Sequence, residues 1–177
     1  MKHQGFSIQF VDGAMYEYSL GKIVCVGRNY LAHIHELGNE IPDEPVLFMK
    51  PETAAVQFAQ PFSIPPGDVH FETELAILIG QTLTRATPEQ CRAAVAGIGL
   101  ALDLTRRDLQ NELKQKSLPW EVAKAFDGAC PLTPFMPVSP SDDLTDLSFK
   151  MWLNGTLTQD GHTNLMRHSV VQLLTYI

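Results

Sequence analysis

Apolar and polar residues alternate in short stretches along this chain, a pattern that predicts many brief strands and few helices. Phe6-Ser7-Ile8-Gln9-Phe10-Val11 and Met15-Tyr16-Glu17-Tyr18 flank Asp12-Gly13, which predicts a hairpin. Residues 23–26 read as a short apolar strand ended by Gly27-Arg28-Asn29, and residues 30–37 as a helix closed by Gly38. Residues 46–49 form another buried strand, stopped before Pro51. Beyond a loop marked by Pro61, Pro65, Pro66 and Gly67, residues 70–79 carry the strongest strand pattern of the sequence. A helix follows over 88–96, with Thr87 as cap and Pro88 in its first position. The pattern continues with an apolar strand over 98–104, a helix over 108–116, and a proline-punctuated stretch over 119–140. Phe149 to Leu153, Asn154-Gly155 and Thr156-Leu157-Thr158 predict a second hairpin. Leu165, Val170, Leu173, Leu174 and Ile177 give a last helical face, which ends without a capping glycine. Strands with irregular connections indicate a β-rich α+β domain over 1–177, not alternating βαβ units.

Composition narrows the function. With 177 residues, 45% hydrophobic and 19% charged, the chain can bury a core unaided. A net charge of −7, with Lys and Arg scattered and only Arg106-Arg107 adjacent, argues against a nucleic-acid surface. Cys25, Cys91 and Cys130 are far apart and form no CxxC pair, so they read as buried thiols of a reducing compartment. No apolar run reaches membrane-spanning length, and a cytoplasmic location is expected. There is no G-x-S-x-G elbow, no Walker A loop and no HExxH. Gly97-Ile98-Gly99 lacks the third glycine of a dinucleotide fingerprint.

The acidic residues carry the candidate chemistry. On a regular strand His70, Glu72 and Glu74 share one face, with the two glutamates roughly 6–7 Å apart at Cα, close enough to converge on one cation. They lead into apolar Ala76-Ile77-Leu78-Ile79, where two carboxylates repel unless a positive charge lies between them. Asp103 ends the apolar run Ile98-Gly99-Leu100-Ala101-Leu102, where a buried carboxylate needs a partner. Three carboxylates suit Mg²⁺ or Mn²⁺ better than zinc. The same residues also fit a solvated strand end and an aspartate capping a turn. His33 and Glu36 are one helical turn apart, a spacing that suits a carboxylate-oriented base or an exposed ion pair. Lys50 and Lys124, each beside apolar residues, fit either a contact to an anionic substrate or stems that snorkel to solvent.

Several ordered blocks together resemble the fumarylacetoacetate hydrolase family, above all its small single-domain members. They are Val26-Gly27-Arg28-Asn29-Tyr30, Glu44-Pro45-Val46-Leu47-Phe48-Met49-Lys50-Pro51, His70-Phe71-Glu72-Thr73-Glu74-Leu75-Ala76, Leu102-Asp103-Leu104-Thr105-Arg106-Arg107-Asp108 and Pro119-Trp120-Glu121-Val122-Ala123-Lys124-Ala125-Phe126-Asp127. The resemblance implies a mixed β-roll fold, a homodimer, and one Mg²⁺ or Mn²⁺ on Glu72, Glu74 and Asp103. It further implies a lid dyad of His33 and Glu36, with Lys124 also catalytic, and substrate contacts from Arg28, Lys50, Arg107 and Gln110.

The implied activity is hydrolysis of a C–C bond in a 3-acylpyruvate such as fumarylpyruvate or acetylpyruvate, as in aromatic catabolism, through a metal-stabilised enolate. The same site also suits oxaloacetate decarboxylation or tautomerisation, or a 2-hydroxyhepta-2,4-diene-1,7-dioate-type isomerisation. Family members usually continue into a further strand and a Gly-Thr-Pro loop that contributes a threonine. This sequence stops at Ile177, so a shortened chain is expected, and a non-catalytic remnant is the alternative of another class.

Overall fold

The structure is a computed structural model that describes residues 5–36 and 40–177, without the side chains of Ala32, His33 and His35. In chain order its strands are β1 (Ile23–Gly27), β2 (Val46–Lys50), β3 (Ala55–Gln57), β4 (Val69–His70), β5 (Thr73–Ile79), β6 (Val95–Leu102), β7 (Thr105–Arg106), β8 (Cys130–Leu132), β9 (Met136–Pro137), β10 (Ser148–Leu153) and β11 (Thr156–His162). The helices are α1 (Leu31–Glu36), α2 (Pro88–Ala93), α3 (Arg107–Gln115), α4 (Glu121–Lys124) and α5 (Val170–Tyr176). The fold is α+β and strand-rich, as the sequence pattern predicts. Among the described residues no helix is long and apolar enough to cross a membrane.

The chain divides into two compact units. The first comprises the residues up to Cys25, Phe48–Leu78 and Gly97–Pro137. Its frame is a mixed sheet in the order β3-β8-β6-β5, with β9 also on β6. β3 and β8 are parallel, whereas β6 meets both β8 and β9 antiparallel. Ile98, Leu102, Leu104, Leu132 and Phe135 are buried there. Gly97 and Gly99 explain themselves in this packing. A Cβ on Gly97 would lie 3.0 Å from the Met136 carbonyl oxygen, and one on Gly99 3.2 Å from the Phe135 ring. The two glycines let β9 and Phe135 press onto β6.

The second unit comprises Val26–Leu47, Ile79–Ala96 and Val138–Ile177. Here α2 packs on α5, each opened by a capping box: Thr87 with Gln90, and Ser169 with Gln172. Such caps contribute about 1 kcal/mol each. The β10–β11 hairpin turns through Asn154 and Gly155, both at positive φ (50° and 81°), as a two-residue turn of this hand requires. Asn29 is buried in this unit. Its amide donates to the His168 carbonyl (3.0 Å) and accepts from the His168 N–H (3.0 Å), which pins the stretch leading into α1 to the loop before α5.

Four expectations change. The N-terminal hairpin is short, a turn closed by the antiparallel bridge Gln9 to Met15 and by the Phe10–Ala14 and Tyr16–Ile8 hydrogen bonds, and Phe10 also bridges Phe135. The helix expected over 88–96 ends at Ala93, and the chain enters β6 at Val95. The stretch 119–140 contains α4, β8 and β9, elements too short to show periodicity. The strand expected over 70–79 breaks at Phe71 and Glu72, because β4 pairs with β7 while β5 joins β6. Gly38 lies outside the described residues.

Candidate metal and oxo-acid site

The break between β4 and β5 builds the site. Val69 and His70 pair with Arg106 and Thr105, and two residues on the Asp103 N–H donates to the Glu72 carbonyl oxygen at 2.7 Å. Backbone hydrogen bonding therefore brings Glu72 beside Asp103. Their side chains are 16% and 10% exposed, too little for water alone to carry two negative charges.

Positive side chains meet them. Lys124, at the end of α4, is 4% exposed and donates to Glu72 Oε2 (3.2 Å), to Thr105 Oγ1 (2.8 Å) and to Asp103 Oδ2. The Phe48 ring centroid lies 5.0 Å from the same ammonium. Arg107 opens α3; its Nη2 pairs with Glu72 Oε1, and its Nη1 donates to Gln110 Oε1 at 2.7 Å, one turn along the helix. Arg107 Nε is buried and has no hydrogen-bond partner among the described residues. Lys50 Nζ lies 2.9 Å from Asp103 Oδ1. Gln110, Arg107, Glu72, Lys124, Asp103 and Lys50 thus form one line of alternating donors and acceptors in the first unit.

The surroundings are of low polarity. Burial, reinforced by the Asp103 carboxylate, pushes the Cys25 thiol up to about 12; burial pushes Cys130 up to about 11. Both stay protonated at neutral pH, which excludes them as nucleophiles.

The residues singled out from the sequence fare differently. Glu72, Asp103, Arg107, Gln110, Lys124 and Lys50 come together. Lys50 and Lys124 do not snorkel; both are buried. Glu74 is half-buried on β5. Among the described residues no three His, Cys, Asp or Glu side chains gather closely enough to hold a metal ion; Glu72 and Asp103 share the Lys124 ammonium. The carboxylate oxygens nonetheless suit a hard divalent cation, since the largely buried Glu72 and Asp103 converge on the shared Lys124 ammonium and Glu74 is two residues from Glu72. Arg28 lies in the second unit, after β1, at φ 58°. Glu36 is exposed on α1 of that unit, and the His33 side chain lies outside the described residues. Sequence reasoning missed Thr105, which is fully buried between Lys124 and Asp103. A hydroxyl two residues past a carboxylate at a strand end was the available signal.

A mixed sheet whose strand ends bring together carboxylates, lysines and an arginine frames this site, and the chain belongs to the fumarylacetoacetate hydrolase family: residues 22–177 match the family described as Fumarylacetoacetate (FAA) hydrolase C-terminal. Over 169 residues it is 49% identical to the oxaloacetate tautomerase YcgM of Escherichia coli (strain K12), spanning 94% of this chain and 77% of that protein. A fumarylacetoacetate hydrolase family protein of Yersinia pestis CO92 superposes with a TM-score of 0.93 at 44% identity, over 97% of this chain and 80% of the other. The fumarylpyruvate hydrolase of Pseudomonas aeruginosa, solved in complex with Mn²⁺ and pyruvate, superposes with a TM-score of 0.87 at 29% identity, over 97% and 76%.

Proposed function

We propose that the chain enolises oxaloacetate, interconverting its keto and enol forms, with C3–C4 decarboxylation as the related outcome at the same site. The observation that carries this reading is Glu72 and Asp103 turned toward the single ammonium of Lys124, beside the Arg107–Gln110 pair. The 49% identity to an oxaloacetate tautomerase, against 29% to a fumarylpyruvate hydrolase, favours enolisation over hydrolysis. A divalent cation, Mg²⁺ or Mn²⁺, held by Glu72, Glu74 and Asp103 would supply Lewis-acid polarisation of the 2-oxo group. Lys124 and Gln110 would orient the substrate, Arg107 would hold Glu72, and Arg28 would meet a carboxylate. His33, oriented by Glu36, would take the C3 proton, and the C2 oxygen gains one as the enol forms.

Hydrolysis of a 3-acylpyruvate is the second reading, supported by the Mn²⁺ and pyruvate in the Pseudomonas aeruginosa enzyme. There His33 would draw a proton from water attacking the distal carbonyl. In both readings the enzyme is a cytoplasmic homodimer.

The test is a panel of oxaloacetate, acetylpyruvate and fumarylpyruvate with Mn²⁺ or Mg²⁺. Faster relaxation of the oxaloacetate enol absorbance alone identifies the tautomerase, release of CO₂ the decarboxylase, and pyruvate without CO₂ the hydrolase. Glu72→Ala is expected to lower the rate about 100-fold or more, the usual scale for a lost transition-state contact. Unchanged turnover in that variant removes the role assigned to Glu72.

A further inference from the structure

We infer that Lys50 is a positioning residue that fixes the Asp103 carboxylate, in place of the substrate contact that family resemblance implies. The inference rests on the reading of Asp103 as a cation ligand. Lys50, the last residue of β2, is among the largest fully buried side chains of the described structure. Its ammonium has three N–H donors and no acceptor. It donates to three carbonyl oxygens, those of Leu104 (3.3 Å), Ala129 (3.1 Å) and Lys124, and stands 2.9 Å from Asp103 Oδ1 as an ion pair without hydrogen-bond geometry. No donor is left for a substrate carboxylate.

The identity of these acceptors gives the function. Leu104 follows Asp103, Lys124 is the other lysine of the site, and Ala129 precedes β8. The three carbonyls belong to three separate stretches of chain, two of which carry site residues. Lys50 pairs electrostatically with Oδ1, and the second oxygen, Oδ2, is the one that accepts a hydrogen bond from Lys124. The two lysines thus divide one carboxylate: the charge of Lys50 lies against Oδ1, and Lys124 donates to Oδ2. A buried ion pair contributes little net stability against an apolar substitute. Its use here is orientation, since a carboxylate that rotated freely would present its oxygens to a cation in varying geometry.

Two measurements test this on the whole 177-residue chain. In the first, native protein is acetylated with an amine-reactive reagent, with and without Mn²⁺ and pyruvate, and modified lysines are mapped by mass spectrometry. Lys50 should stay unmodified under both conditions, while Lys116 and Lys150, 58% and 47% exposed, react. Modification of Lys50 in free protein that pyruvate suppresses would overturn the inference. In the second, Lys50→Met, verified as folded by circular dichroism, is titrated with Mn²⁺ by calorimetry and assayed on oxaloacetate. Positioning predicts a Mn²⁺ Kd weaker by about tenfold or more, with KM at saturating metal within about twofold. A substrate contact predicts the reverse, unchanged Mn²⁺ affinity with a raised KM, and would likewise overturn the inference. If wild-type protein binds no Mn²⁺, the cation reading of Asp103 fails separately; then, as when Lys50→Met does not fold, the acetylation map decides the role of Lys50.

Discussion

Replacing Lys124 by methionine removes the ammonium that Glu72 and Asp103 share while keeping side-chain volume beside Phe48. Breaking a buried ion pair by deleting one partner costs about 3–5 kcal/mol, because the remaining charge is left uncompensated. Here each carboxylate keeps a second cation, Arg107 on Glu72 and Lys50 on Asp103. That places the loss at the low end. The forfeited cation–π contact, with the Phe48 centroid 5.0 Å from the ammonium, is offset in part by a sulfur–aromatic contact of about 0.3–1.5 kcal/mol. A net loss of about 3 kcal/mol lowers Tm by roughly 6–12 °C in a chain of this size. Calorimetric melting in EDTA measures it. Mn²⁺ at about 100 times its Kd should return about 2.7 kcal/mol by binding only the folded state. At one fixed concentration, set at about 100 times the wild-type Kd, the gain should be larger in Lys124→Met, whose Kd is lower because no ammonium repels the incoming ion. A variant that melts within about 2 °C of wild type in EDTA refutes the view that the shared ammonium compensates the two carboxylates. Equal Mn²⁺ shifts in both proteins refute the placement of the ion beside them.

Two further outcomes follow from the packing and the thiols. Gly161→Ala would put a Cβ 2.3 Å from Phe149 Cζ, so the ring must leave its buried place over β11; a loss of about 1–3 kcal/mol in urea unfolding is expected, and Phe149→Leu in the same background should recover part of it. The Cys25 and Cys130 thiols, raised from 9.0 to about 12 and about 11, should resist Ellman's reagent at pH 8 until guanidinium is added. The same shifts carry a sign: the folded chain keeps protons that the unfolded chain releases, so stability falls as pH rises above 9.0, read as a lower urea midpoint at pH 10 than at pH 8.

Elements with local causes were legible in the sequence. Thr87-Pro88 opens α2 and Asn154-Gly155 turns the second hairpin, because caps and tight turns are specified by the residues that form them. The Glu72–Asp103 contact was legible as chemistry but not as geometry. Strict alternation predicts Glu72 and Glu74 on one strand face, whereas the chain leaves the β4–β7 pairing after His70 and begins β5 at Thr73, with Glu72 in the break. The surroundings of Lys50 were not legible for a related reason. Its flanks, Met49 and Pro51, say nothing of the carbonyls of Leu104, Lys124 and Ala129, which reach it across 54, 74 and 79 residues of sequence. Such failures are informative in themselves, since conflicts between local pattern and final structure collect where function is built. A regular strand through 70–79 would have placed the two glutamates a full pleat apart. Breaking it at Glu72 frees that carbonyl to accept from the Asp103 N–H, and so sets two acidic side chains from different strand ends next to each other. Only basic groups brought in by β2, α3 and α4 make that juxtaposition tolerable in a site so little exposed. The irregularity that defeats the strand pattern is therefore the same feature that assembles the charges.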